Sequence, residues 1–289
     1  MTLAEALRET GRRLEAVGGT GRLDAMLLLE HVTGARRETF ITDEGRALTP
    51  DQDAAFAHAV ERRLAGTPVA YITGSIGFYG RTLAVDERVL VPRPETEHVV
   101  EAALAAVRAG GTAAVRIADI GTGSGAIAIA LAAALPDAWV FGTDISPDAI
   151  DVARRNAARN NVFQSCTFLH GDLALPLVRF APFDVLVANL PYVPTAAIPT
   201  APDPLACEPL LALDGGADGL ALYRRLILQL PPLLAPLATV VFEAAPGTIE
   251  PLATQVAAAF PGARVQIGAD YAGLPRFLTC ARTAKGRTV

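Results

Sequence analysis

The sequence predicts a two-part protein. A small all-α domain and a β-hairpin linker precede a doubly wound α/β domain, whose mostly parallel sheet closes with an antiparallel C-terminal hairpin. Three observations predict it. Residues 1 to about 65 carry apolar positions at helical spacing between clear cap signals. Around residues 67–95 the texture changes to aromatic and β-branched residues broken by Gly74, Gly77 and Gly80. From residue 115 short apolar strands alternate with helical segments, the pattern of a parallel sheet with helices on both faces. The expected boundaries are 1–75, 76–95 and 96–289.

In the helical part, Leu3, Leu7, Leu14 and Val17 recur at helical spacing, as do Leu23, Met26, Leu27 and Glu30 flanking an apolar stripe, and Phe56, Val60 and Leu64. The third helix is signed at both ends: Thr49 suits the N-cap, Pro50 the first turn, Gln52 the reciprocal capping position and Gly66 the stop. Further on, "VRIADI" reads as a strand leading to a helix from Ser124. "AWVFGTDI" is a strand leading to a helix capped by Ser146 with Pro147 behind it, and "CTFLHGD" and "FDVLVANL" follow as strands. A helix near 218–230, the strand "TVVFEA", a helix from about 247, and the strands "ARVQIGAD" and "RFLTCAR" complete the domain. No helix separates the last two strands, so they are expected to pair antiparallel.

Composition excludes several classes. With 289 residues, 51% of them hydrophobic, the chain has material for two cores. A net charge of -5, with nine Arg against eleven acidic residues in 1–75, argues against gripping a phosphate backbone. Cys166, Cys207 and Cys280 are odd in number and lack ligand spacing, so neither a disulfide framework nor a metal site is expected. The N-terminus lacks the basic and apolar pattern of a signal peptide. "LILQLPPLLAPLATVVF" is broken by Gln229, Pro231, Pro232 and Pro236, so no membrane span and a cytoplasmic location are expected.

Two motifs carry chemistry. In "DIGTGSG", Asp119 closes a strand, and Gly121, Thr122, Gly123, Ser124 and Gly125 form a turn whose glycines let the backbone approach a ligand. The spacing is GxGxG, not the GxGxxG of dinucleotide sites, and the upstream carboxylate suits a cationic sulfonium ligand with an amino-acid tail better than a pyrophosphate. Asp144 closes the next strand, where an acid accepts from both ribose hydroxyls. Asp172 closes the third, near an adenine edge, with Leu173 placed against the ring. Acids at three successive strand ends around one crevice point to S-adenosylmethionine; the alternative is that they are ordinary strand-to-helix caps.

The fourth strand ends in "NLPY", Asn189 to Tyr192. An amide or exocyclic amine nitrogen is a poor nucleophile because its lone pair is delocalised, and it needs orientation more than a strong base. Asn189 Oδ1 and the carbonyl of Leu190 can accept its two N–H groups, Pro191 holds Leu190 extended, and Tyr192 forms an apolar wall. Asn189, Pro191 and Tyr192 are the candidate catalytic residues, all four the candidate substrate-binding set, and Asn189 is also a candidate cofactor contact. No Ser/His/Asp arrangement suggests a covalent intermediate, and His31, His58, His98 and His170 lie in unrelated segments.

The runs "PVAYITGSIGFYGRTLAVDERVLVPRPETE", "DIGTGSGAIAIALA", "NLPY", "EPLLALDGGADGLALYRRL" and "DYAGLPRFL", in that order, closely resemble the PrmC/HemK family of release factor N5-glutamine methyltransferases. The likeness spans about residues 67–282. It implies a Rossmann-like class I methyltransferase domain and transfer of a methyl group from S-adenosylmethionine to the GGQ glutamine of class I peptide-chain release factors. S-adenosylhomocysteine is the product, and the helical domain docks the protein substrate. A monomer without direct nucleic-acid binding is expected. Two departures stand out: Leu190 replaces the first proline of the family's Asn-Pro-Pro-Tyr, and "FEAAPGTIE" replaces an acidic-Ile-Gly-x-x-Gln segment. Rival readings are a ribosomal-protein glutamine methyltransferase, an adenine-N6 methyltransferase, and a catalytically silent module that holds a translation factor.

Overall fold

The computed structural model describes residues 1–111, 114–200 and 203–283. It falls into two compact units, Met1–Ser75 with Pro199–Pro209, and Ile76–Ile198 with Leu210–Val289.

The first unit holds α1 (Leu3–Gly18), α2 (Gly21–Thr33), α3 (Thr39–Thr42), α4 (Pro50–Leu64) and α5 (Val69–Thr73). Thr49 and Gln52 form the predicted capping box on α4, and Thr2 with Glu5 forms another on α1. The stripe expected on α2 is rotated. Leu23 is exposed, and the helix buries Asp24, Ala25, Leu28 and Leu29. Two contacts turn it: Gly21 lies so near α1 that a Cβ there would come 2.2 Å from the Gly11 carbonyl oxygen, and Asp24 Oδ2 accepts from Arg63 Nε at 2.7 Å. Apolar side chains surround α2, so periodicity alone left its orientation open, and a buried ion pair fixed it.

The second unit begins with a hairpin, β1 (Ser75–Phe78) and β2 (Arg81–Ala84). There follow α6 (Glu97–Gly110), β3 (Arg116–Ile120), α7 (Ala126–Ala134), β4 (Trp139–Asp144), α8 (Pro147–Arg159), β5 (Cys166–His170) and β6 (Phe183–Ala188). The chain continues through α9 (Leu210–Leu213), α10 (Ala221–Gln229), β7 (Leu234–Glu243), α11 (Ile249–Ala259), β8 (Arg264–Ala269) and β9 (Pro275–Ala281). Ser146 caps α8 with Pro147 in its first turn, as expected. The helix expected from Ser124 starts at Ala126, because Gly125 at φ 82 cannot belong to it.

Among the described residues the main sheet has seven strands in the order β5-β4-β3-β6-β7-β9-β8, and β9 runs opposite to the other six. Burial on both faces explains why β6 reads as an unbroken apolar run: Val185, Leu186, Val187 and Ala188 are all buried. One core cluster, including Leu186, Tyr223 and Phe242, packs on one face of the sheet, and another, including Val187, Ile129 and Leu131, on the other. Strand order reverses between β3 and β6, so the crevice beyond their carboxyl ends is where this architecture places ligands. Among the described residues no helix is long and apolar enough to cross a membrane.

Candidate active site

Register brings the motifs together. Ile120 pairs with Thr143 on one side and Ala188 on the other, and Ala188 pairs with Phe242. The next residues therefore stand side by side: Gly121 and Asn189 leave the sheet there, while Glu243 is the last residue of β7 and still pairs with Phe277 of β9. Gly121 has φ 73, and a Cβ there would lie 2.9 Å from Leu190 Cδ2, so glycine lets the two motifs touch. The loop is pinned from below: Gly121 and Thr122 N–H both donate to the Thr143 carbonyl, at 2.9 and 2.8 Å.

The acids share this work. Asp119 is buried, and its Oδ2 accepts from Thr122 Oγ1 at 2.7 Å and from Ala128 N–H at 3.2 Å. Its Oδ1 is buried without a hydrogen-bond partner, and burial pushes the carboxyl up to about 7. Asp144 accepts from Gly123 N–H at Oδ2 and Ser146 N–H at Oδ1, both at 2.9 Å; burial raises its pKa against the pull of those donors. Asp172 lies two residues past the end of β5, not at the strand end as expected, and pairs with Arg225 Nη2 at 2.6 Å. Leu173 adopts φ 49, tucks its side chain into the core, and accepts from Thr143 Oγ1 at its carbonyl, at 2.8 Å. Ser124 is buried, with its carbonyl bonded to Asn156 Nδ2 at 2.9 Å.

Asn189 Nδ2 donates to Thr96 Oγ1 at 3.2 Å. Among the described hydrogen bonds, neither Asn189 Oδ1 nor the Leu190 carbonyl accepts one, so the two predicted acceptors are free together. The Leu190 N–H, which the family's proline lacks, is in use. It donates to Tyr223 Oη at 3.0 Å, and that hydroxyl donates in turn to the Glu243 carbonyl. Tyr192 packs against the core beside Pro191, and burial pushes its phenol up to about 12, with nearby Glu243 adding to the push.

Sequence reasoning missed the residues that hold this motif. Thr96 is buried in the short helical turn Pro94–Thr96, within the quoted "VLVPRPETE". Glu243 is buried at the end of β7, one residue past the Phe242 that pairs with Ala188, and its Oε2 has no partner. Burial raises its carboxyl to about 7, outweighing the neighbouring Thr96 and Asn189, which pull the other way. Gly215 and Gly219 lie against the main chain of the motif: a Cβ at either would sit 2.7 Å from the Pro191 carbonyl oxygen or 2.3 Å from that of Tyr192. The available signal was the glycine-rich "DGGADGL", which marks a close backbone approach. No group of three or more His, Cys, Asp or Glu among the described residues could hold a metal ion.

Known proteins match the chain along most of its length. The family description "PrmC N-terminal domain" matches residues 5–74, and "Methyltransferase domain" matches residues 117–203. A release factor glutamine methyltransferase of Moorella thermoacetica is 43% identical over 280 residues, covering 96% of this chain and 97% of its own. That of Deinococcus radiodurans is 37% identical over 283 residues, covering 98% and 99%. Among solved structures, the delta-N METTL16 MTase domain shares the fold at a TM-score of 0.52 and 17% identity, over 71% of this chain and 90% of that one. With relatives this similar along nearly the whole chain, the protein belongs to the release factor glutamine methyltransferase family.

Proposed function

We propose that the chain transfers a methyl group from S-adenosylmethionine to the side-chain nitrogen of the GGQ glutamine in class I peptide-chain release factors, leaving S-adenosylhomocysteine. One observation carries the reading: Asn189 Oδ1 and the Leu190 carbonyl are adjacent acceptors to which no described residue donates, at the switch point of the sheet. A primary carboxamide has two N–H donors in one plane. Held by both acceptors, its nitrogen is oriented for in-line attack, and positioning alone lowers the barrier for a weak nucleophile.

The residues around the crevice fit the cofactor. Asp119 Oδ1 is a buried acceptor without a partner and suits an ammonium group, reached directly or through the loop. Asp144 spends one lone pair of each oxygen on the loop and α8, which leaves acceptors for two hydroxyls. A Cβ built at Gly123 meets nothing within 4 Å, so the loop is open there. Bound in this crevice, S-adenosylmethionine supplies an electrophilic methyl carbon on a cationic sulfur. Tyr192 stays neutral and excludes water, and no side chain need act as nucleophile. The helical unit offers a non-basic surface for the body of a protein substrate.

The test is mass spectrometry of intact release factors after incubation with isotope-labelled S-adenosylmethionine. A label on the GGQ glutamine, lost when that glutamine is replaced, is expected. Equal labelling of the replaced protein refutes the assignment, and labelling of naked rRNA or DNA favours the adenine-modifying alternative.

A further inference from the structure

We infer that Glu243, acting through Thr96, is a positioning residue that sets which end of the Asn189 carboxamide faces the substrate. The inference rests on the glutamine-methylating reading and adds a residue to it. The two ends of an Asn side chain are nearly the same shape but opposite in hydrogen-bonding sense, so something must choose between them. For the substrate amide, Oδ1 outward accepts an N–H. Nδ2 outward opposes donor to donor.

Thr96 cannot choose by itself. Its hydroxyl accepts from Nδ2 in the observed arrangement, at 3.2 Å, but a rotated hydroxyl could donate to Oδ1 as readily. Glu243 removes that freedom. An ionised carboxylate only accepts, so it takes the Thr96 proton, leaves the Thr96 lone pair facing the amide, and draws Nδ2 inward. The chain then has one direction: substrate N–H to Asn189 Oδ1, Asn189 Nδ2 to Thr96, Thr96 O–H to Glu243. Burying a carboxylate with Oε2 unpartnered costs stability, and such a cost is expected where function needs the group.

The direction depends on pH, because a protonated Glu243 can donate. Its pKa is raised to about 7, chiefly by burial, with Glu95 adding to the rise and Thr96, Arg276 and Asn189 opposing it. Tyr192 and Tyr223 also face Glu243, but burial raises both phenols, so neither titrates in this range. Turnover should therefore rise with pH through about 7.

The test compares Glu243→Gln, which keeps the shape and restores a donor, with wild type. Expected are a 10- to 100-fold lower kcat on the release factor, cofactor affinity within about twofold, and loss of the acid limb near pH 7. Thr96→Val should lower kcat, and Thr96→Ser should restore it. A readout free of activity is the side-chain amide NMR signal of Asn189, assigned by its loss in Asn189→Asp. Its protons should be protected from exchange in the wild type and exposed in Glu243→Gln. A kcat within twofold of wild type with an unchanged acid limb overturns the inference, as does an unchanged Asn189 signal. If wild type methylates no release factor but the NMR contrast holds, the substrate reading fails and the orientation role stands.

Discussion

Replacing Gly219 with alanine tests how the loop before α10 holds the substrate acceptors. The residue sits at φ 77, where a side chain costs about 1–2 kcal/mol. The added Cβ would lie 2.3 Å from the Tyr192 carbonyl oxygen and 3.1 Å from its carbon. Both obstacles are backbone, so no rotamer relieves them, and the motif must retreat by about 1 Å to reach ordinary contact, an overpacking worth roughly 1–3 kcal/mol. Together these predict a loss of about 2–5 kcal/mol, read as a lower urea midpoint at unchanged slope. Asn189 and Leu190 belong to the displaced run, and a shift of that size can cost about 100-fold in rate. Turnover per folded molecule should therefore fall 10- to 100-fold, while calorimetry finds cofactor affinity nearly intact. Gly247→Ala, with nothing within 4 Å of the new Cβ, is the control and should stay within about 0.5 kcal/mol of wild type. A Gly219→Ala protein with wild-type midpoint and full turnover would refute the reasoning.

Three further outcomes follow from the site. Asp144→Ala should weaken S-adenosylmethionine binding by about 1.5–3 kcal/mol, because it removes an acceptor and releases the Gly123 and Ser146 N–H groups; unchanged calorimetric affinity would count against the placement. Leu190→Pro deletes the N–H that Tyr223 accepts and part of a buried side chain, so stability should drop by about 1–3 kcal/mol, while turnover of the folded fraction stays within about tenfold because the carbonyl remains. Glu243 is at about 7 when folded against an ordinary 4.5, so the folded state binds the extra proton between those values and the group's contribution to stability falls as pH rises through that window. Urea unfolding should show Glu243→Gln gaining about 3 kcal/mol on wild type between pH 4 and 8, and a constant difference across that range would contradict the raised pKa.

Much of this was legible because periodicity and cap chemistry are local. The capping box at Thr49, the Pro147 start of α8 and the antiparallel pairing of β8 and β9 each follow from residues within one element or turn. Asn189 and Leu190 could be named as candidate acceptors for a similar reason, since the chemistry of an amide nitrogen restricts what can hold it. What stayed hidden is set by packing between segments far apart in sequence. The rotation of α2 depends on Arg63, and the orientation of Asn189 on Thr96 and Glu243. The work of the Leu190 N–H depends on a tyrosine in α10, and nothing near Leu190 announces it.

The grouping of Pro199–Pro209 with Met1–Ser75 gives the helical unit a broken sequence. A ribosome making this chain emits five helices and then most of the catalytic sheet before it supplies the last piece of the first unit. Truncation at residue 75 therefore yields a fragment lacking part of its own structure, and the complementary fragment keeps a segment that belongs elsewhere. Any attempt to transplant the helical unit onto another enzyme must carry two pieces of chain, because residues 1–75 alone leave out its second segment.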